Sequence, residues 1–267
     1  MMHRRSLLAA AAALPVAACA PRATAPRKPL RAVTFNIWHD AGNWPLRLKL
    51  ITDVLRAADA DVIALQEVLQ DSKKNLPNQA ETIAAALGGY SVHFTSTAPL
   101  DAANRYGNAI LTRLPVLATD TIKLEPLADS RTAIRVRVDH GGRPVDVVNT
   151  HLAWQPDQGS MRAQQIRGLL DWLPRDEVPL VLMGDFNAPL DEAPLAQIAV
   201  RGLDPALRPG ATDTTLVVSR GHKPRVIDHI FADPRAFAVS DARRIADAVA
   251  GEFPSDHYGV AATLTPR

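Results

Sequence analysis

Short apolar runs that end in an acid, an amide or an imidazole recur along this chain. Residues 178–183 (VPLVLM) form an apolar run bounded by Pro and Gly, which reads as a buried strand. The run stops at Gly184, and Asp185 and Asn187 follow with one residue between them. At the frayed end of a strand, residues i and i+2 point to the same side. Asp185 and Asn187 are therefore expected to present a carboxylate and a carboxamide together, although Gly-Asp-x-Asn is also good turn chemistry. Asn36 sits in the strand-like run 31–37 (RAVTFNI), and residues 60–65 (ADVIAL) lead into Gln66-Glu67-Val68. Residues 144–148 lead into Asn149-Thr150-His151, residues 225–227 into Asp228-His229, and Ser255-Asp256-His257 precedes Tyr258-Gly259-Val260. Taken singly, each polar group has a bland explanation as a cap, a solvated side chain or a packed histidine. Gathered at the ends of successive apolar runs they predict one ligand site, because open α/β sheets bind ligands at strand ends.

Apolar residues at helical spacing predict helices over 46–59, Gln79–Leu87, 160–172 and 191–200. The alternation of the two periods points to the α/β class. The middle of the chain reads differently, with strand-like runs at 108–111, Val116–Leu124, 132–138 and 144–148 joined by short connections. His140-Gly141-Gly142-Arg143 is a hairpin turn by composition. Strands joined this closely are expected to be antiparallel, since parallel crossovers need about a dozen residues or more. No internal repeat and no second domain are evident, and a length of 267 residues fits one large domain.

The first residues look like a targeting segment. His3-Arg4-Arg5 is basic, and residues 7–18 are an apolar run too short to span a bilayer. Val16-Ala17-Ala18-Cys19 resembles a bacterial lipoprotein cleavage box, and Arg4-Arg5-Ser6-Leu7-Leu8 a twin-arginine export signal. An ordinary signal peptide cleaved near Ala20 is the alternative. The expected organisation is a signal segment over 1–18, a Pro-rich tether over 19–29 and the folded domain over 30–267. The protein would be an exported monomer, a periplasmic or cell-envelope lipoprotein held to the membrane through lipid on Cys19. Cys19 is the one cysteine, so no intramolecular disulfide can form. Without Arg4 and Arg5 the chain has 28 basic and 28 acidic residues. That neutrality disfavours a protein held to nucleic acid by a broad basic surface.

The segments TFNIW (34–38), LQEV (65–68), YGNAIL (106–111), NTHL (149–152), GDFN (184–187), IDHIF (227–231) and SDHYGV (255–260) resemble, in order, those of the endonuclease/exonuclease/phosphatase superfamily. The resemblance runs from about Leu30 to Leu264. It implies a deoxyribonuclease-like fold, a two-sheet β-sandwich flanked by helices in four layers, α/β/β/α.

A phosphodiester repels an anionic nucleophile, so its hydrolysis needs charge neutralised, water oriented and the leaving oxygen stabilised. Asn36 and Glu67 offer oxygen only, which suits Mg²⁺ or Mn²⁺ rather than zinc. Asp185 would orient and deprotonate water, with Asn187 beside it, and His151 and His257 would hydrogen-bond the phosphoryl group. The resemblance makes Asp228 the carboxylate orienting His257, Asn108 the partner of His151, and Arg131 a phosphate-binding arginine. Asp256 would join a second metal position or support Asp185. Arg105 and Arg113 could also rim the site. Trp154, with Trp38, could line the pocket, although core or rim packing is the commoner fate of such residues. His39, His93, His140 and His222 read as surface residues and His229 as packing.

The implied activity is metal-dependent hydrolysis of a phosphodiester, in a nucleic acid or a phospholipid-type substrate. A phosphomonoesterase acting on a small or lipid phosphate, a secreted toxin-like nuclease and a non-catalytic module retaining the fold are the alternatives. The GDxNxR and WxDR signatures of inositol polyphosphate 5-phosphatases are absent, since GDFN runs into Ala188-Pro189.

Overall fold

A computed structural model describes residues 27–267. The signal segment, Cys19 and all but the last three residues of the tether lie outside the described residues. Twelve strands form two six-stranded mixed sheets among them. The first sheet contains β1 (Leu30–Asn36), β2 (Val62–Asp71), β3 (Ser91–Ser96), β4 (Asn104–Thr112), β11 (Phe237–Ile245) and β12 (Gly259–Pro266). The second contains β5 (Val116–Leu124), β6 (Arg131–Asp139), β7 (Pro144–His151), β8 (Leu180–Asp185), β9 (Asp204–Pro205) and β10 (Asp228–Ala232). Helices α1 (Trp44–Ala58) and α2 (Gln79–Leu87) pack on the first sheet, and α3 (Gly159–Trp172) and α4 (Ala196–Val200) on the second.

Period-two alternation builds these layers. In β1, Leu30 and Ala32 face the second sheet and join Ile134, Val147 and Met183 in the central core. Val33 and Phe35 face the other way and meet Ile51 and Leu55 of α1. In the second sheet Val148 and Leu182 meet Ile166 and Leu169 of α3. A strand covered on both faces has no wet side, which is why β1, β2 and β8 read as nearly continuous apolar runs.

The order of the first sheet is β11-β12-β1-β2-β4-β3 and that of the second β5-β6-β7-β8-β10-β9. The two orders are the same topology twice. Each has an edge hairpin, a parallel pair crossing through a helix (β1–α1–β2 and β7–α3–β8), then two antiparallel strands. The duplication leaves no repeat in the sequence, in keeping with the absence of an internal repeat noted above.

The run of strands from 108 to 148 is not one meander. β5, β6 and β7 are antiparallel neighbours, but β4 belongs to the other sheet. Residues 113–115 carry the chain between sheets, and Pro115, which has no N–H, cannot continue a ladder there. The helix expected over 191–200 begins instead as a 3₁₀ turn at Ala193–Leu195, and only Ala196–Val200 is α-helical. Pro194 in that first turn biases its predecessor away from the α region.

A buried amide pair ties the sheets together. Gln66 of β2 donates to Thr34 Oγ1 at 3.0 Å and to Asn149 Oδ1 of β7 at 2.7 Å. Asn149 in turn donates to the carbonyls of Leu65 and Ala109 at 2.9 and 2.8 Å.

Candidate active site

β1, β7 and β8 all point their carboxyl ends to the same end of the sandwich. In the second sheet, Asp185 at the end of β8 is in register with His151 on the parallel β7 and with Asp228 on the antiparallel β10. Pleating brings such register partners together on one face, so three adjacent strands place an imidazole and two carboxylates in a row. The preceding Gly184 is required by close approach, because a Cβ there would lie 2.1 Å from the Thr150 carbonyl oxygen.

Asp185 is 1% exposed. Its Oδ2 accepts from Asn36 Nδ2 across the sheet interface at 3.0 Å, and stands 3.5 Å from His151 Nε2 and 3.8 Å from His257 Nε2. Its Oδ1 accepts the Asn187 backbone N–H at 2.9 Å. Asn187 has φ 52° and donates through Nδ2 to the Leu152 carbonyl at 3.1 Å. The pair therefore does meet in the pocket, but through an Asx turn rather than by strand alternation, so the turn chemistry and the site chemistry are one feature. Burial, then the charge of Asp228, hold the Asp185 carboxyl well above the usual carboxylate range.

His257 turns Nδ1 to Asp228, 3.0 and 3.3 Å from its two oxygens. Asp228 is fully buried, and its backbone N–H and that of Ile227 donate to Thr215 Oγ1. Burial opposes charge on His257, yet Asp228 and Asp185 outweigh it and raise its pKa above the ordinary value. His151 moves oppositely: burial, then the Arg131 and His257 charges, keep it neutral. Two histidines on one carboxylate are thus driven to different protonation states.

Glu67 reaches the site by a distortion of β2. Leu65 pairs with Ala109 and Val68 with Gly107, so Gln66 and Glu67 together oppose one residue. That β-bulge puts Glu67 at φ 59°, a left-handed conformation that re-aims its side chain. Glu67 Oε1 accepts from Asn36 Nδ2 at 3.1 Å, so one amide holds Glu67 and Asp185 side by side. Asn36 was expected to offer its oxygen to a metal. That oxygen accepts the Trp38 N–H at 3.0 Å and keeps a second lone pair, while the amide nitrogen tethers the two carboxylates.

Three expectations need correction, those for Asn108, for His222 and for Arg105 with Arg113. Asn108 is buried and donates to the Thr132 carbonyl and hydroxyl at 2.9 and 3.1 Å, while its Oδ1 is unpartnered; it neither bonds His151 nor lines the pocket. Asp256 lines the pocket, where His222 Nε2 stands 3.1 Å and Ser255 Oγ 3.3 Å from its oxygens. His222, read as a surface residue, lines the pocket, its ring centroid 6.2 Å from that of His257. Arg105 and Arg113 do not line the pocket; Arg113 binds Asp59 and Tyr90. Arg131 and Trp154 do line it, and His229 packs against Phe186 and Phe231 as expected.

The pocket has a volume of about 880 Å³. Tyr106, the first residue of YGNAIL, also lines it, as do Lys223 and Arg225, which carry no sequence motif that announces them. Burial, then Glu67, push the Tyr106 hydroxyl far above its usual range, so it stays a neutral donor. One ligand atom from each of Asp185, Asp228 and His257 lies within 4.8 Å of the others. Because His257 and Asp228 already satisfy each other, this trio fits a proton relay better than a metal cage.

The family model described as the Endonuclease/Exonuclease/phosphatase family matches residues 33–257. Among curated proteins, none matches the sequence. Solved structures do. An endonuclease/exonuclease/phosphatase from Beutenbergia cavernae superposes with a TM-score of 0.74 at 26% identity, covering 90% of this chain and 72% of that one. The human Nocturnin catalytic domain with bound sulfate gives 0.72 at 21%, covering 90% and 94%. A Bacteroides thetaiotaomicron mannosyl-6-phosphatase gives 0.70 at 20%, covering 88% and 99%.

Proposed function

The chain belongs to the endonuclease/exonuclease/phosphatase family, and on that premise we propose that it hydrolyses a phosphodiester, with water as nucleophile and a hard divalent cation, Mg²⁺ or Mn²⁺, as cofactor. The observation that carries this is the convergence on Asp185 Oδ2 of Asn36, His151 and His257 from both sheets. An acid held above its normal range by burial, beside one charged and one neutral imidazole, is equipped to take a proton near neutral pH.

The residues fit such a cation. Two carboxylates, Glu67 and Asp185, share one amide, which makes an oxygen-rich spot suited to a hard ion. Glu67 would hold it, with Asn36 fixing the carboxylate. When bound, the ion supplies Lewis-acid polarisation of a phosphoryl oxygen. The chain's own residues do the rest. Asp185 accepts a proton from the attacking water as the new P–O bond forms. His257, charged and oriented by Asp228, gives a proton to the leaving oxygen as the old P–O bond breaks. Neutral His151 hydrogen-bonds the phosphoryl group, and Arg131 offsets its charge. The test is a substrate panel of dinucleotides, phospholipids and sugar phosphates with and without Mg²⁺. Hydrolysis confined to monoesters would replace the diester assignment by the phosphatase one.

The exported, membrane-tethered state is also proposed, on the Val16–Cys19 box. β1 enters at Leu30 and delivers Asn36 to the site, about 20 Å away at ordinary strand rise. A tether at Leu30 would leave the pocket free to face either phospholipid headgroups or soluble phosphoesters. Mass spectrometry of the mature N-terminus tests it: a chain beginning elsewhere than at a lipidated Cys19 rules it out.

A further inference from the structure

The two halves of the sandwich each carry a tryptophan shortly after the first strand of their parallel pair, and each fixes the loop around it in the same way. Arg47 and Arg162 are both the fourth residue of the crossover helix, and both are buried. Arg47 donates to the carbonyls of Ile37, Trp38, His39 and Ala41 at 2.6–3.0 Å, and to that of Pro254 at 3.1 Å. Arg162 donates to the carbonyls of Ala153, Gln155 and Pro156 at 3.1, 2.7 and 3.4 Å, and to Glu192 at 2.6 Å. A guanidinium that caps the carbonyls on both sides of a tryptophan locks its backbone.

What covers the two rings differs. Trp38 has the Arg47 and Arg220 guanidiniums 5.1 and 5.3 Å from its ring centroid. Trp154 is 61% exposed at the pocket rim, and no aromatic ring or cation stacks on it among the described residues. A large exposed apolar ring on a rigid, polar-anchored loop is the mark of a contact surface.

The bare ring is also locked to an anion contact. Gln165, fully buried, accepts the Ala153 N–H at 2.8 Å through Oε1 and donates to Asp129 Oδ2 at 2.7 Å through Nε2. The same Asp129 oxygen accepts from Arg131 Nε at 3.2 Å. The backbone beside Trp154 and the Arg131 guanidinium are therefore linked through two side chains, Gln165 and Asp129.

The geometry points to Trp154 as a stacking platform for a nucleobase, in the same pocket lining as Arg131, so that the substrate is a phosphodiester bearing a base beside the scissile group. This rests on the phosphodiesterase reading and narrows it. A flat π-face is the chemistry that an exposed indole accepts, with the phosphate taken by Arg131 and the neighbouring site. A single platform in a pocket of this size, on a chain whose formal net charge is only +2, fits a short nucleotide rather than a long duplex.

The experiment compares a dinucleoside monophosphate with the same diester lacking its bases, using wild type, Trp154→Ala and Trp154→Phe with Mg²⁺. Trp154→Ala should lower kcat/KM on the dinucleotide about tenfold, chiefly through KM, and leave the base-free diester unchanged. Trp154→Phe should recover most of the loss. Equal losses on both diesters, or no loss on either, would overturn the platform while leaving the diesterase reading intact. If wild type cleaves neither diester, the diesterase reading fails, and binding of thymidine 3′,5′-bisphosphate, followed by calorimetry, decides the platform alone. Loss of binding in Trp154→Ala supports it, and equal binding by wild type and variant removes it.

Discussion

His257 gives its Nδ1 to Asp228 at 3.0 Å and keeps its Nε2 3.8 Å from Asp185, so one imidazole spans two buried carboxylates on neighbouring strands. Asp228 acts through His257 rather than on the substrate. Asp228→Asn is therefore expected to slow kcat less than His257→Ala, which should cost about a hundredfold or more. The double variant should be little worse than His257→Ala alone. Strictly additive losses in a double-mutant cycle would mean that the two do not act as a unit.

The pH profile carries a signature of the same pair. Catalysis needs Asp185 ionised, and burial and Asp228 raise its pKa, so activity should rise with pH only above the ordinary carboxylate range of about 4. Catalysis also needs His257 charged, and the carboxylates raise its pKa against burial, so activity should persist past the ordinary histidine value of about 6.5 and fall only at higher pH. Asp228 raises both groups. Asp228→Asn is thus expected to move both limbs of kcat/KM to lower pH at saturating Mg²⁺. An unmoved alkaline limb would show that Asp228 does not set the His257 charge.

Removal of divalent cations with EDTA should abolish turnover, and Mg²⁺ or Mn²⁺ should restore it. Glu67→Gln keeps the size of the side chain but removes its charge, and should raise the Mg²⁺ concentration needed for half-maximal rate about tenfold or more. Full activity of a metal-stripped sample would end the metal-dependent reading.

Much of this was readable before folding, and the reasons it was readable are physical. A strand buried on both faces announces itself by an unbroken apolar run, and so β1 and β8 revealed Asn36 and Asp185 at their ends. The GDFN and SDH segments carried Asp185, Asn187 and His257 into one pocket. The edge strand β5 was read, but β3 and β11 were missed, because their alternation is broken by polar and exposed positions, such as Asp241 and Arg243 in β11. The Glu67 bulge could not be read, since the extra residue shows only when the partner strand is known. His222 lies on an irregular loop with no periodicity, where nothing local tells a pocket wall from solvent. Asn108 was found by its motif but given the wrong partner, because its contact with Thr132 crosses from one sheet to the other.

The buried amide pair between the sheets should matter to stability and to the site at once. Asn149 satisfies the Leu65 and Ala109 carbonyls and accepts from Gln66, and all of these groups are shut off from water. Gln66 immediately precedes the bulged Glu67, so the same contact positions the residue that would hold the metal. Asn149→Ala strands two carbonyls and halves the bonding of the Gln66 amide. It should cost about 2–3 kcal/mol in denaturant unfolding, mainly from unsatisfied buried groups. Weaker Mg²⁺ activation should accompany the loss, because Glu67 is no longer held in register. Replacing Thr34, the other acceptor of Gln66, by Val removes one acceptor at similar shape and leaves Asn149 in place. Its effect on both readings should be smaller. If Asn149→Ala lowered stability while Mg²⁺ activation stayed unchanged, the tie would be structural only, and Glu67 would owe its position to the bulge alone.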